Sequence, residues 1–190
     1  GLGAALVPGS PDQSLIIRAI RRKEEDIEMP PDEALPADEV AVLEAWVDLG
    51  VWKGRTSDTV PGFHERLLTW LPALIEHGCS NGERGAFVQK LREGAGFAHV
   101  LEHVTLELQT LAGHRVGYGK ARHTCVDGLY KVIVRYVDEA VAEACLRSAR
   151  ELLLAGYRAE PFAVEAEIER LRDIVDSNAL GPSTKSIVDA

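Results

Sequence analysis

One helix constrains this chain more than any other stretch. From Phe97 to Gly113 the sequence reads Phe-Ala-His-Val-Leu-Glu-His-Val-Thr-Leu-Glu-Leu-Gln-Thr-Leu-Ala-Gly. Phe97, Val100, Leu101, Val104, Leu108 and Leu111 recur at helical spacing and make one apolar face. Gly113 is a stop signal, because glycine tolerates the left-handed conformation that ends a helix. At about 100° per residue, His99 and His103 point away from the apolar stripe and share a face. Glu102 lies about 100° to one side of His103 and Glu107 about 40° to the other.

His99-Val-Leu-Glu102-His103 therefore spells H-x-x-E-H. That spacing suits metal-activated hydrolysis: two neutral imidazoles bind zinc, the pKa of a bound water falls, and the glutamate takes its proton. The alternative is a solvated polar face on an ordinary helix. A zinc site needs a third ligand. Glu107 is the nearest candidate, and Glu76, His77 and His123 are others.

Composition narrows the remaining classes. The 190 residues suffice for one domain with a real core. With 46% apolar and 27% charged residues, the chain has the make-up of a soluble globular protein. A formal net charge of -9 argues against general nucleic-acid binding. No apolar run reaches membrane length and no signal peptide is evident. The cysteines, Cys79, Cys125 and Cys145, are odd in number and far apart, with no C-x-x-C. Reduced thiols in a cytoplasmic protein are the expectation.

Along the chain, residues 1 to about 36 are loop-rich, with a short helix expected over Ser14–Arg22. Pro36, followed by Asp38 and Glu39, opens an expected helix that holds Val40, Leu43 and Ala45-Trp46-Val47. Val47-Asp48-Leu49 reads equally as the tail of that helix or the end of a strand. A helical region from Pro61 to His77 is expected to kink or split at Pro72. Cys79 beside His77 reads as a nucleophile pair or as a buried structural thiol next to a turn. Arg84–Glu93 is a short helix. Gly117-Tyr118-Gly119-Lys120 is a basic glycine-rich loop without P-loop spacing. Leu129–Tyr136, β-branched and alternating, is the best strand, with Lys131 and Arg135 on one face. Asp138–Ala155 is an amphipathic helix stopped by Gly156, and Pro161–Ser177 is another. The fold class expected is α+β: mostly helical, with a small sheet and a partial helical N-terminal arm.

Two resemblances cover the chain. Ala5-Leu6-Val7-Pro8-Gly9, Ser14–Ala19, Met29-Pro30-Pro31 and Leu35-Pro36-Ala37-Asp38-Glu39 through Trp46 resemble the second half of a planctomycete-type cytochrome c domain. There Met29 would be the axial haem ligand. The C-x-x-C-H that attaches haem is absent, so residues 1–48 are expected to be a cytochrome-like fragment without haem.

From about Gly50 the chain resembles the N-terminal domain of cyanophycin synthetases. Pro61-Gly62-Phe63, Leu71-Pro72 with Leu74-Ile75-Glu76-His77, Cys79-Ser80, Arg84-Gly85, Leu91-Arg92-Glu93-Gly94, His99 with Glu102-His103-Val104, Leu106-Glu107-Leu108-Gln109, Val116-Gly117-Tyr118-Gly119 and Leu180-Gly181-Pro182-Ser183-Thr184 carry it. Ala86 and Ala95 depart from the family's Gly and Thr, and Lys120-Ala121-Arg122-His123-Thr124 departs from its Arg-Thr-Arg-Glu-Thr loop. The first strand of the family domain is expected to be largely replaced by the cytochrome-like segment. The family makes cyanophycin, a poly-aspartate backbone with arginine on each side-chain carboxylate.

The resemblance implies a polymer-binding domain over residues 49–178, and 179–190 as the start of a linker into an absent ATP-grasp module. ATP and magnesium would belong to that module and to a Mur-ligase-like module beyond it. Arg84, Arg92, Arg115, Lys120, Arg122, Lys131 and Arg135 would grip polymer carboxylates. Glu102 would be the catalytic base and His99, His103 and Glu107 the zinc ligands, releasing peptides as primers. The alternative is a haem-less cytochrome-like electron-transfer or interaction module. The full-length protein is expected to be a cytoplasmic homo-oligomer that partners neither nucleic acid nor membrane.

Overall fold

The computed structural model describes residues 41–79 and 83–179. The expectations placed on Ser14–Arg22, Met29 and Leu180–Thr184 lie outside the described residues. Strand β1 (Val42–Asp48) leads to short 3-10 turns at Gly50–Trp52 and Ser57–Thr59. Helix α1 (Phe63–Trp70), a 3-10 segment (Pro72–Glu76), helix α2 (Ala86–Glu93) and helix α3 (Phe97–Ala112) follow. The chain continues through β2 (Gly119–His123), β3 (Leu129–Arg135), α4 (Glu139–Arg158) and α5 (Val164–Ala179). The fold is α+β. Its three-stranded antiparallel sheet has the order β1-β3-β2.

Helix α3 is the centre of the domain, packed against α4, α5, β2 and β3. Thirteen of its sixteen residues are buried, among them Glu102, His103, Thr105, Glu107 and Gln109. The face opposite the apolar stripe is therefore not a solvated surface; it meets the sheet edge and the segment before α2. Gly113 ends the helix at φ 116°, a left-handed geometry that a side chain resists.

Three expectations are corrected. Residues 42–48 are a strand rather than part of a helix that Pro36 opens. Leu43, Ala45 and Val47 turn toward the core while Val42, Glu44, Trp46 and Asp48 face out, the period of two that a helix cannot satisfy. β1 completes the sheet by pairing with β3, with Trp46 opposite Lys131 and Glu44 opposite Ile133. Gly119 and Lys120, read as loop, begin β2. Gly156 does not stop α4, which runs on to Arg158 and ends at Ala159 in a left-handed conformation. Gly156 is small because a Cβ there would stand 3.1 Å from Phe63 Cε2 and 3.3 Å from Trp70 Cζ3. Pro72, by contrast, does split its helical region, opening the 3-10 segment.

An aromatic cluster fixes the start of α3. Phe97 is 1% exposed, and its ring centroid lies 4.9 Å from Trp52, 5.3 Å from Phe63 and 5.9 Å from Tyr157. Ser57, fully buried, ties the same end to α2: its hydroxyl donates to Leu91 O at 2.6 Å and accepts from Ala95 N at 2.8 Å.

Candidate metal centre

Because α3 turns through about 100° per residue, His99 and His103 are stacked one turn apart on the side facing the approach to α2. The chain leaving the 3-10 segment crosses this side and brings His77 and Cys79 onto it. Cys79 Sγ lies 3.5 Å from His99 Nε2 and 3.9 Å from His103 Nε2. The three donor atoms all fall within 4.8 Å of one another. Zinc bonds of about 2.0–2.1 Å to nitrogen and about 2.3 Å to sulfur, at tetrahedral angles, put N and S about 3.5 Å apart. The donor set and its spacing therefore fit a zinc ion with one position left open.

Both imidazoles are held from behind. Glu102 Oε2 is 3.2 Å from His99 Nδ1. His103 Nδ1 is 3.0 Å from His77 Nδ1, and His77 Nε2 is 2.9 Å from Glu107 Oε2. Phe87 stacks on the His103 ring at 4.0 Å. Gly119 gives Glu102 its place, since a Cβ at that position would stand 2.7 Å from Glu102 Cγ.

Electrostatics favour neutral imidazole. Burial, then the neighbouring His99, His77 and Lys90, push the His103 pKa down to about 2. Burial raises the Cys79 thiol above its ordinary value, with Lys90 and Lys120 pulling the other way and Glu102 adding to the rise. A cation among the three donors opposes that rise by stabilising thiolate.

The lowered His103 pKa sets an acid limit on stability. The folded state binds fewer protons here than the unfolded chain, whose histidine titrates near 6.5, so stability is present above about pH 6.5 and is lost progressively toward pH 2. The expected slope from this one group is at most about 1.4 kcal/mol per pH unit. Urea unfolding of the chelator-treated chain at a series of pH values measures it, and His103→Gln should flatten the difference; equal slopes would contradict it.

The three donors open into a cavity of about 480 Å³. Its wall includes Gly78, Lys90, Leu106 and the edge strand from Gly119 to Arg122. The expected basic residues are distributed unevenly around it. Lys120 and Arg122 belong to that wall, while Arg122 also pairs in register with Lys131 on β3. Lys131 bonds Glu44 at 2.9 Å and lies 4.8 Å from the Trp46 ring, which is largely exposed. Arg84 is paired with Glu76. Arg92 and Arg115 are exposed, and Arg135 lies at the end of β3.

The structure brings together a donor set other than the expected one: Glu107 sits one turn beyond His103 and is bonded to His77, while Cys79 lies beside both His99 and His103. Of the other candidates, His77 has both ring nitrogens engaged, Glu76 holds Arg84, and His123 lies against Tyr130. In the sequence Cys79 stands out as a thiol beside a histidine and within the Cys79-Ser80 that carries the family resemblance, while Lys90 carries no signal.

A model of the cyanophycin synthase-like N-terminal domain family matches residues 44–156, and one of planctomycete cytochrome C matches residues 1–33. A cyanophycin synthetase of Synechocystis sp. (strain ATCC 27184 / PCC 6803 / Kazusa) is 42% identical over 145 residues, 75% of this chain and 17% of that protein. Those of Trichormus variabilis and Geminocystis herdmanii are 39% and 36% identical, over 75% and 77% of this chain and 16% and 17% of theirs. The chain thus spans about a sixth of the length of these relatives. Among the described residues, no helix is long and apolar enough to cross a membrane.

Proposed function

The chain belongs to the cyanophycin synthase-like N-terminal domain family, and from that premise we propose that it holds cyanophycin and hydrolyses it with zinc, releasing short peptides that serve as primers. Polymer synthesis would lie with ATP-grasp and Mur-ligase-like modules of a longer protein. The convergence of Cys79 Sγ, His99 Nε2 and His103 Nε2 on one point beside Glu102 carries the hydrolytic reading.

The polymer presents carboxylates along its length. Lys90, Lys120 and Arg122 give the cavity a basic rim in a chain of net charge -9, and such cations orient a carboxylate-bearing strand across it. Arg84, Arg92, Arg115, Lys131 and Arg135 extend the grip outside the cavity. Cys79, His99 and His103 would hold a zinc ion, which when bound would supply a Lewis acid that lowers the pKa of water. Glu102 uses Oε2 to orient His99 and keeps Oε1 to take a proton from the attacking water and return it to the leaving amine. Leu106 and Phe87 shield one side of the donors from solvent.

The test is peptide release from purified polymer by the zinc-loaded chain. Release that stops with a chelator and resumes with zinc supports the reading; a folded chain that takes up zinc but releases nothing sinks the hydrolytic half. The holding half is tested separately by binding to soluble polymer, which should weaken steeply between low salt and about 0.15 M ionic strength as screening shortens to about 8 Å. Binding indifferent to salt would remove the role of the basic rim.

A further inference from the structure

We infer that His77 and Glu107 form a positioning relay that fixes the tautomer of His103 and so aims its Nε2 lone pair at the metal position. The inference rests on the zinc reading above and adds two residues to it.

The hydrogen-bond chain has one consistent reading for neutral rings. Glu107 is 4% exposed, and its carboxylate only accepts. His77 Nε2, 2.9 Å away, must therefore carry the hydrogen. A neutral His77 then has a bare Nδ1, which is an acceptor. His103 Nδ1, 3.0 Å from it, must be the donor. That leaves His103 Nε2 without a proton, on the side that faces Cys79 Sγ at 3.9 Å. The second imidazole reaches the same state by a shorter route, since Glu102 accepts from His99 Nδ1 and leaves His99 Nε2 bare.

The two histidines are thus prepared differently. His99 is backed by a carboxylate directly, as metal-bound histidines commonly are. His103 is backed through a second imidazole, since Glu107, one turn along α3, bonds His77 and not His103. His77 stands between them, and it also lines a second cavity of about 240 Å³ with Glu76, Gly78 and Val116. This gives the buried Glu107 carboxylate a role behind the donors.

The experiment is nitrogen-15 long-range correlation spectroscopy of the full chain, chelator-treated, at neutral pH, beside zinc affinity by competition with a chromophoric chelator. The wild type should show both His99 and His103 as Nδ1–H tautomers. Glu107→Leu, which removes the acceptor without leaving a buried charge, should convert His103 to a mixture and leave His99 unchanged. Its zinc affinity should fall about 10–100-fold, the usual effect of losing such a partner. His103 found as the Nε2–H tautomer in the wild type overturns the relay, and needs no variant to fold. Zinc affinity within about threefold of wild type in a folded Glu107→Leu also overturns it. A wild type with the expected tautomers but no zinc uptake overturns the metal reading while leaving the relay's geometry supported, so the two failures are told apart.

Discussion

Replacing Glu102 with glutamine is expected to cut zinc-dependent peptide release from cyanophycin by about 10²–10⁴-fold, the range a positioned general base contributes. The substitution is chosen because it separates two roles that share one side chain. Glutamine keeps the size that lets the side chain lie against Gly119, where the backbone leaves room for no more. Its amide oxygen still accepts from His99 Nδ1, so His99 keeps its orientation and zinc uptake should stay near one equivalent. What glutamine cannot do is take a proton. Peptide release measured beside zinc content therefore has a clear reading: activity lost with zinc retained assigns the proton transfer to Glu102. Activity kept within about threefold would move that role to another group and leave Glu102 as a support for His99 alone.

Phe97→Ala is expected to cost about 3–5 kcal/mol of folding stability, measured by urea unfolding. Phe97 opens α3 and is enclosed by Trp52, Phe63 and Tyr157 at 4.9, 5.3 and 5.9 Å. Truncation leaves a void that rings attached to three separate segments cannot all collapse into, and it removes edge-to-face contacts as well as buried area. Against a typical total of about 5–15 kcal/mol, that loss unfolds a large share of a marginal chain. The folded fraction should still take up zinc, because the donors lie beyond the aromatic cluster that Phe97 anchors. A cost under about 1 kcal/mol would show that the aromatic cluster does not anchor the helix.

The parts legible in the sequence were those set by local geometry. His99, Glu102 and His103 share a side of α3 because their spacing of three and four residues is imposed by the helical period, whatever packs around it. Gly113 as a stop and Pro72 as a break follow from backbone sterics in the same way. Strand β3 was visible because alternation and β-branching agree over Leu129–Arg135. Strand β1 was not, although its own alternation is clean. The signals at Pro36, Asp38 and Glu39 favoured a helix, and a strand is stabilised only through a partner, here β3 far along the chain.

Gly156 was misread for a related reason. A glycine in a helical pattern looks like an end signal, and only the rings of Phe63 and Trp70 show that it is a point of close approach.

The site divides along the same line. Sequence alone determined that two imidazoles and a carboxylate would stand together on one helix, and that the chain resembles the cyanophycin synthetase N-terminal domain. Tertiary structure decided that Cys79 stands beside His99 and His103, that His77 stands between His103 and Glu107, and that the edge strand carrying Lys120 and Arg122 walls the cavity. Those contacts join segments whose separation along the chain fixes no distance. They depend on how α1 and its 3-10 extension fold back over α3, a packing choice made by buried area summed over the whole core and not by any local pattern of residues.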